Sequence, residues 1–336
     1  MSVTIRRFDA SDDAAVAAYV RVRNEVTPDS PMSAERVAWA EATYPGDAHL
    51  LLAYRGGGAL GEAGGEAVGG TGAEALGEAV GAAVAGRIHM HGPGFPRYWL
   101  GLWVIPEARR AGTGSALLAV LSDATRAAGK TGFQTMLSEA HPEGLSFLAA
   151  RGFVEIERMR QVSLDLRGLA APAVAPPPGI ALVTLAERPD LVAAVHEVAV
   201  ETFPDMPVGG EPMDAGTLDE FVAREVERPG VLGEAFQVAS DVGSGETVGY
   251  ASLVIAPGST TMAYHAMTAV RPAYRGRGIA TALKRATIAW AIGRGLETLE
   301  TSNDEHNAAM RAVNAALGYL PMPDLVGLQG PLTPPR

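Results

Sequence analysis

Arg275-Gly276-Arg277-Gly278 carries the densest chemical signal in the chain, between a turn opened by Pro272 and a helix opening at Ile279-Ala280. Glycine lets the backbone turn with no Cβ in the way, so successive N–H groups can converge on one point. There the helix N-terminus adds partial positive charge. Such a loop binds anions, in particular a diphosphate. Two familiar phosphate loops are excluded. No G-x-x-x-x-G-K-[ST] occurs, since Lys130-Thr131 follows Gly129 but lacks the earlier glycine. The dinucleotide fingerprint G-x-G-x-x-G would need Gly or Ala at 281, where Thr281 stands.

What remains is R-x-x-G-x-A over Arg275, Gly278 and Ala280, and it has a twin in Arg109-Arg-Ala-Gly112-Thr-Gly114. Each loop follows an apolar run, Leu100–Ile105 in one case and Thr268–Val270 in the other, and each precedes a helical pattern. A small apolar helix ending in Gly-aromatic lies downstream of both, at Gly152-Phe153 and Gly318-Tyr319. The separation from loop arginine to that glycine is 43 positions in each case. Two motifs at one shared spacing point to internal duplication.

These loops resemble [QR]-x-x-G-x-[GA], the pyrophosphate loop of the GNAT superfamily of acetyl-CoA-dependent N-acyltransferases. The resemblance implies an α/β (α+β) fold of two tandem GNAT-like domains. Each would hold a mixed, mostly antiparallel sheet, flanked by helices, with splayed fourth and fifth strands. Coenzyme A would enter that gap, pantetheine against the fourth strand and diphosphate on the loop amides. The implied contacts in the second half are Ala269 and Val270 for pantetheine and Arg275, Gly276, Arg277, Gly278, Ile279 and Ala280 for the diphosphate. In the first half they are Trp103, Val104, Arg109, Arg110, Ala111, Gly112, Thr113 and Gly114. Backbone amides near Ala269 and Val270 would hold the oxyanion.

The stretch Thr301–Tyr319 resembles a pattern of that superfamily, with asparagines at a strand end and along the next helix. Asn307 is expected to reach the cofactor, while Asn303 and Asp304 can also cap the helix. The first half has Ser138–Gly144 here and neither asparagine. Many members place a tyrosine five residues before the final aromatic, to protonate the departing thiolate. This chain has Asn314 and Leu148 there. Asparagine can hydrogen-bond sulfur but is a poor acid, which leaves Tyr264 as the substitute candidate. Transfer also needs a proton acceptor for the amine, and His265 titrates in the right range. Glu201 and Asp205 lie in the connection that usually walls the acceptor pocket and would bind a cationic substrate, or solvate a surface turn.

The 336 residues suit two domains of about 165 each. With 47% hydrophobic and 19% charged residues the chain folds rather than staying disordered. It has no cysteine, which excludes disulfides, thiolate metal sites and a cysteine nucleophile. A net charge of −11 argues against nucleic acid and favours amine-bearing partners. Lys130 and Lys284 are the only lysines. His89 and His91 share a strand face without a nearby carboxylate, so no metal is expected. No G-x-S-x-G elbow occurs. The N-terminus has no apolar core and no run of 18 apolar residues exists, so a soluble cytoplasmic protein without a membrane partner is expected, as monomer or homodimer.

The elements that position these residues follow from pattern. An N-terminal domain over 1–168 carries a Gly-rich insertion at 55–81, which has too little apolar surface to offset its ordering entropy. Ala170–Gly179, with three successive prolines, marks a linker over 169–179, and the strand-helix pattern restarts for a C-terminal domain over 180–336. Val154–Leu166 reads as closing strand or strands of the first half. The expected activity is transfer of an acetyl group from acetyl-CoA to a small-molecule primary amine in the C-terminal domain. The alternatives are a non-catalytic CoA-binding module and a mycothiol-synthase-like acyltransferase.

Overall fold

The computed structural model describes residues 3–56, 77–208 and 211–335. Compactness divides it into two units: Met1–Ile88 with Phe95–Thr135 and Gly330–Arg336, and His89–Gly94 with Met136–Gln329. Among the described residues no helix is long and apolar enough to cross a membrane.

The first unit opens with β1 (Val3–Phe8), α1 (Asp13–Val26) and α2 (Ala34–Thr43). Asp12 and Ser33 start the two helices by accepting from the Ala15 and Arg36 N–H groups, which would otherwise lack partners. An antiparallel meander follows, β2 (Ala48–Gly56), β3 (Gly77–Arg87) and β4 (Arg97–Val104), with β1 on the outer edge of β2. α3 (Thr113–Ala127) then leads to β5 (Gly132–Ser138), which pairs parallel to β4. Val16, Tyr19, Val22, Leu52 and Val80 form the core between helices and sheet. The Gly-rich insertion falls mostly on residues 57–76, outside the described residues, while its flanks extend the β2–β3 ladder to Gly56↔Gly77.

The second unit begins with α4 (Pro142–Ala149) and β6 (Val154–Asp165). Residues 169–177 are neither helix nor strand. Then come β7 (Ile180–Thr184), α5 (Val192–Thr202), the two-residue ladder of β8 (Pro207–Val208) with β9 (Glu211–Pro212), and α6 (Leu218–Phe221). The sheet continues with β10 (Gln237–Asp241), β11 (Thr247–Ile255), β12 (Met262–Val270) and, after α7 (Ile279–Gly293), β13 (Thr298–Asp304). α8 (Ala308–Ala316), β14 (Leu320–Pro321) and β15 (Leu325–Pro331) close the chain. The strand order in this unit is β15-β6-β13-β12-β11-β10-β7, antiparallel except for β12 with β13. β6, which precedes the proline-rich segment, therefore lies between β13 and β15, and compactness places residues 136–168 with this unit. One face of the sheet packs Phe203, Phe221, Phe236 and Tyr250 under α5 and α6. The other packs Leu253, Ile288, Leu299 and Tyr319.

Candidate functional site

The loop after β12 is built for an anion. Gly276 and Gly278 both have positive φ, 74° and 84°, and a Cβ at either would meet nothing within 4 Å. Backbone conformation alone thus demands glycine, since L side chains avoid this region. Gly278 is the N-cap of α7 and no side chain caps it, which leaves the first-turn N–H groups facing outward with the positive end of the helix dipole. Arg275 braces the turn: its Nε donates to the Val270 carbonyl at 3.0 Å.

The twin loop repeats this geometry. Arg109 and Arg275 have φ/ψ of −69°/160° and −67°/160°, and Gly112 and Gly278 have 88°/−6° and 84°/5°. Arg109 Nε donates to the Val104 carbonyl at 3.1 Å, as Arg275 does to Val270. Arg110 holds the left-handed conformation that Gly276 holds, at φ 61°, which costs a non-glycine residue roughly 1–2 kcal/mol. The first loop keeps the shape of the second with an arginine where the second has glycine.

Beside each loop two parallel strands diverge. β12 pairs with β13 only from Met262↔Thr298 to Tyr264↔Glu300, and β4 with β5 only from Arg97↔Gly132 to Trp99↔Gln134. Among the described residues no strand pairs with that edge of β12 beyond Tyr264, so the backbone of His265 to Val270, including the expected contacts Ala269 and Val270, borders the gap. Of the two strands that enter the loops, β12 carries a bulge. Ser252 opposes Met267 but Leu253 opposes His265, which leaves Ala266 as an extra residue. The β3–β4 ladder runs without one. Because side chains alternate, the bulge switches faces: Ala263 and His265 stand on the α7 side, Met267 and Ala269 on the α5 side. Gly-rich loop, uncapped helix and open strand edge together fit the diphosphate and pantetheine of coenzyme A.

The remaining sequence candidates find definite partners. Glu201 pairs with Arg271 and Asp205 with Arg275 at 2.7 Å, and Glu197 and Glu246 also approach Arg271. Both expected acceptor-binding carboxylates thus tie the α5 turn to the loop. Arg277 lies across the Tyr274 ring at 5.1 Å. Asn307 caps α8, accepting from the Met310 N–H at 3.1 Å. The expected caps do other things: Asp304 accepts from the His306 N–H, and Asn303 Oδ1 accepts from Asn314 Nδ2 at 2.6 Å. Asn314 is buried and its Oδ1 has no hydrogen-bond partner. Tyr264 is half-buried on the opposite strand face from His265.

His265 sits one residue past the last β12–β13 pair, 8% exposed. Its Nε2 is 2.6 Å from the Tyr319 hydroxyl, and its Nδ1 is buried without a hydrogen-bond partner. Burial, with the charge of Lys284, pushes its pKa well below the usual imidazole value. Lys284 itself, 1% exposed on α7, is pulled down to about 7 by burial, and its Nζ lies 5.3 Å from the centre of the Tyr319 ring. Burial raises the Tyr319 hydroxyl far above its ordinary value, so it stays protonated. Sequence reasoning named His265 but not its companions. The signal it passed over was a lysine on the apolar stripe of a helix.

Residues 192–319 match the model of the Acetyltransferase (GNAT) family. No curated protein matches in sequence. Among solved structures, a tandem GNAT protein from the clavulanic acid biosynthesis pathway is similar over 100% of both chains, at 21% identity and a TM-score of 0.73. A GCN5-related N-acetyltransferase from Sphaerobacter thermophilus is similar over 99% of this chain and 97% of its own, at 19% identity and 0.69. The N-myristoyltransferase of Saccharomyces cerevisiae is similar over 99% and 80%, at 12% identity and 0.65. These likenesses establish the tandem GNAT fold across the whole chain.

Proposed function

We propose that the protein is an N-acetyltransferase that moves the acetyl group of acetyl-CoA to the primary amine of a small molecule, with catalysis in the C-terminal half. The observation that carries this reading is the uncapped N-terminus of α7, with Gly276 and Gly278 at positive φ, next to the open edge of β12. Acetyl-CoA supplies an activated acyl group as a thioester. The N–H groups of Gly278, Ile279 and Ala280 hold its diphosphate, and Arg275 keeps the turn rigid through the Val270 carbonyl. The free edge of β12 takes the pantetheine as a further strand would lie, which directs the thioester to the bulge at Ala266. Backbone N–H groups there polarise the thioester carbonyl. The amine nitrogen bonds to the carbonyl carbon, the carbon–sulfur bond breaks, and the surplus amine proton passes to water.

The first-half loop has the same backbone but lacks the bulge and both asparagines, and we assign it a structural or cofactor-sequestering role. The acidic chain, at −11, favours a cationic acceptor. The experiment is thiol release from acetyl-CoA over a panel of small amines, alongside calorimetry with CoA. Release with at least one amine is expected. CoA binding without release for any of them would refute catalysis and favour a non-catalytic CoA-binding module.

A further inference from the structure

The duplication supplies an internal control on which buried polar residues the fold requires. Loop register matches Lys284 with Leu118 and Tyr319 with Phe153. Strand register matches His265 with Leu100, because each lies two residues past the corresponding parallel pair, Ala263↔Leu299 and Tyr98↔Phe133. All three counterparts are apolar and buried. The same architecture thus closes its core with Leu, Leu and Phe, so His, Lys and Tyr in the second copy are not needed for packing. Burying them is costly, since polar groups without full hydrogen bonding lose solvation.

The hydrogen bonding of this trio fixes a tautomer. If His265 Nε2 carried the proton and donated to Tyr319, both the Nδ1 lone pair and the tyrosine O–H would be left unmade. If the Tyr319 hydroxyl donates to Nε2, only the Nδ1–H is left. Each arrangement makes one hydrogen bond, but the second joins the better donor, the phenol O–H, to the better acceptor, the imidazole lone pair. It requires a neutral imidazole, which burial and the Lys284 charge both enforce.

We infer that His265 is held by Tyr319 as the Nδ1–H tautomer and offers that N–H as a fixed donor to the negative charge that develops at the thioester where β12 leaves β13. This rests on the proposed acetyl transfer and reverses the expectation that His265 accepts the amine proton, because the lone pair needed for that is engaged by Tyr319. No proton leaves His265: the nitrogen–carbon bond forms, the carbon–sulfur bond breaks, the amine proton goes to water, and CoA departs as a thiolate that water reprotonates. Tyr319 acts as a positioning residue, since it reaches the reaction through His265.

The test uses the full chain with 15N-labelled histidine. Ring-nitrogen NMR, with the His265 signals assigned by their loss in His265→Leu, should show a protonated Nδ1 and an unprotonated Nε2, and acetyl-CoA should shift the Nδ1 signal. Tyr319→Phe and His265→Leu place in this half the residues its twin carries at Phe153 and Leu100, so both should fold. Tyr319→Phe should mix the tautomers and lower kcat for thiol release about tenfold or more, with CoA affinity unchanged. A protonated Nε2 in the parent protein, an Nδ1 signal unmoved by acetyl-CoA, or a Tyr319→Phe variant with the parent's tautomer and kcat would overturn the inference. Lack of thiol release by the parent protein would instead refute the proposed transfer, and the NMR readings do not depend on turnover.

Discussion

Lys284→Leu puts into α7 the residue that its twin helix carries as Leu118. In an unfolded chain this lysine keeps its proton to about 10.5, whereas burial in the folded protein releases it near about 7. The unfolded state therefore binds more protons across that window, and the stability of the parent protein rises with pH from 7 to 10.5. Below 7 the full cost is present, roughly 5 kcal/mol at about 1.4 kcal/mol per pH unit. At pH 9 about 2 kcal/mol of it remains, so the gap between the variant and the parent should narrow by about 3 kcal/mol between pH 6 and pH 9. The packing gain from leucine does not titrate and cancels in that difference. His265, also neutral through burial, titrates below this window. The assay is urea unfolding at both pH values, followed by fluorescence to which Trp290 of α7 contributes. A stability gap that is the same at pH 6 and pH 9 would show that Lys284 keeps an ordinary pKa and that its burial is not what sets the pH dependence.

Gly278→Asp should abolish CoA binding in calorimetry while Gly278→Asn, which tolerates positive φ equally well, loses no more than about tenfold, because only the aspartate opposes the diphosphate with charge. Equal affinities for the two variants would dissociate the loop from CoA. Asp205→Asn should change stability by less than about 1 kcal/mol, as the Arg275 pair is half-exposed on both sides. It should tighten CoA by freeing a cation beside the loop and leave the KM of any productive amine unchanged, and a tenfold rise in that KM would return Asp205 to the acceptor site. Calorimetry should give one CoA per chain, lost with Gly278→Asp and kept with Gly112→Asp. Two per chain, one of them lost with Gly112→Asp, would give the first loop the cofactor-sequestering role rather than the structural one.

The loops were legible because their chemistry is local: a glycine forced to positive φ before a helix reads the same in sequence and in space, and Gly278 and Gly112 stand where their spacing put them. Strand destination is not local. Val154–Leu166 announces a strand, but no residue in it states which edge it joins, and β6 lies beside β13 because the ladder from Asp165↔Thr298 to Met159↔Asp304 is a long-range choice. The partners of the carboxylates were hidden for a related reason. Glu201 and Asp205 sit in the connection where an acceptor pocket would be walled, yet guanidinium groups seventy residues away, at Arg271 and Arg275, reach them first. The His265 site needed both levels at once. Its strand position was readable, its partners were not, and the apolar stripe of α7 hides Lys284 until the fold sets it against Tyr319. Once the twin is aligned the sequence becomes informative again, since a copy that keeps Leu100, Leu118 and Phe153 measures what the fold alone requires. What the second copy holds beyond that, a histidine with one ring nitrogen engaged and the other unsatisfied, is a cost that packing does not explain and that the inferred donor role would.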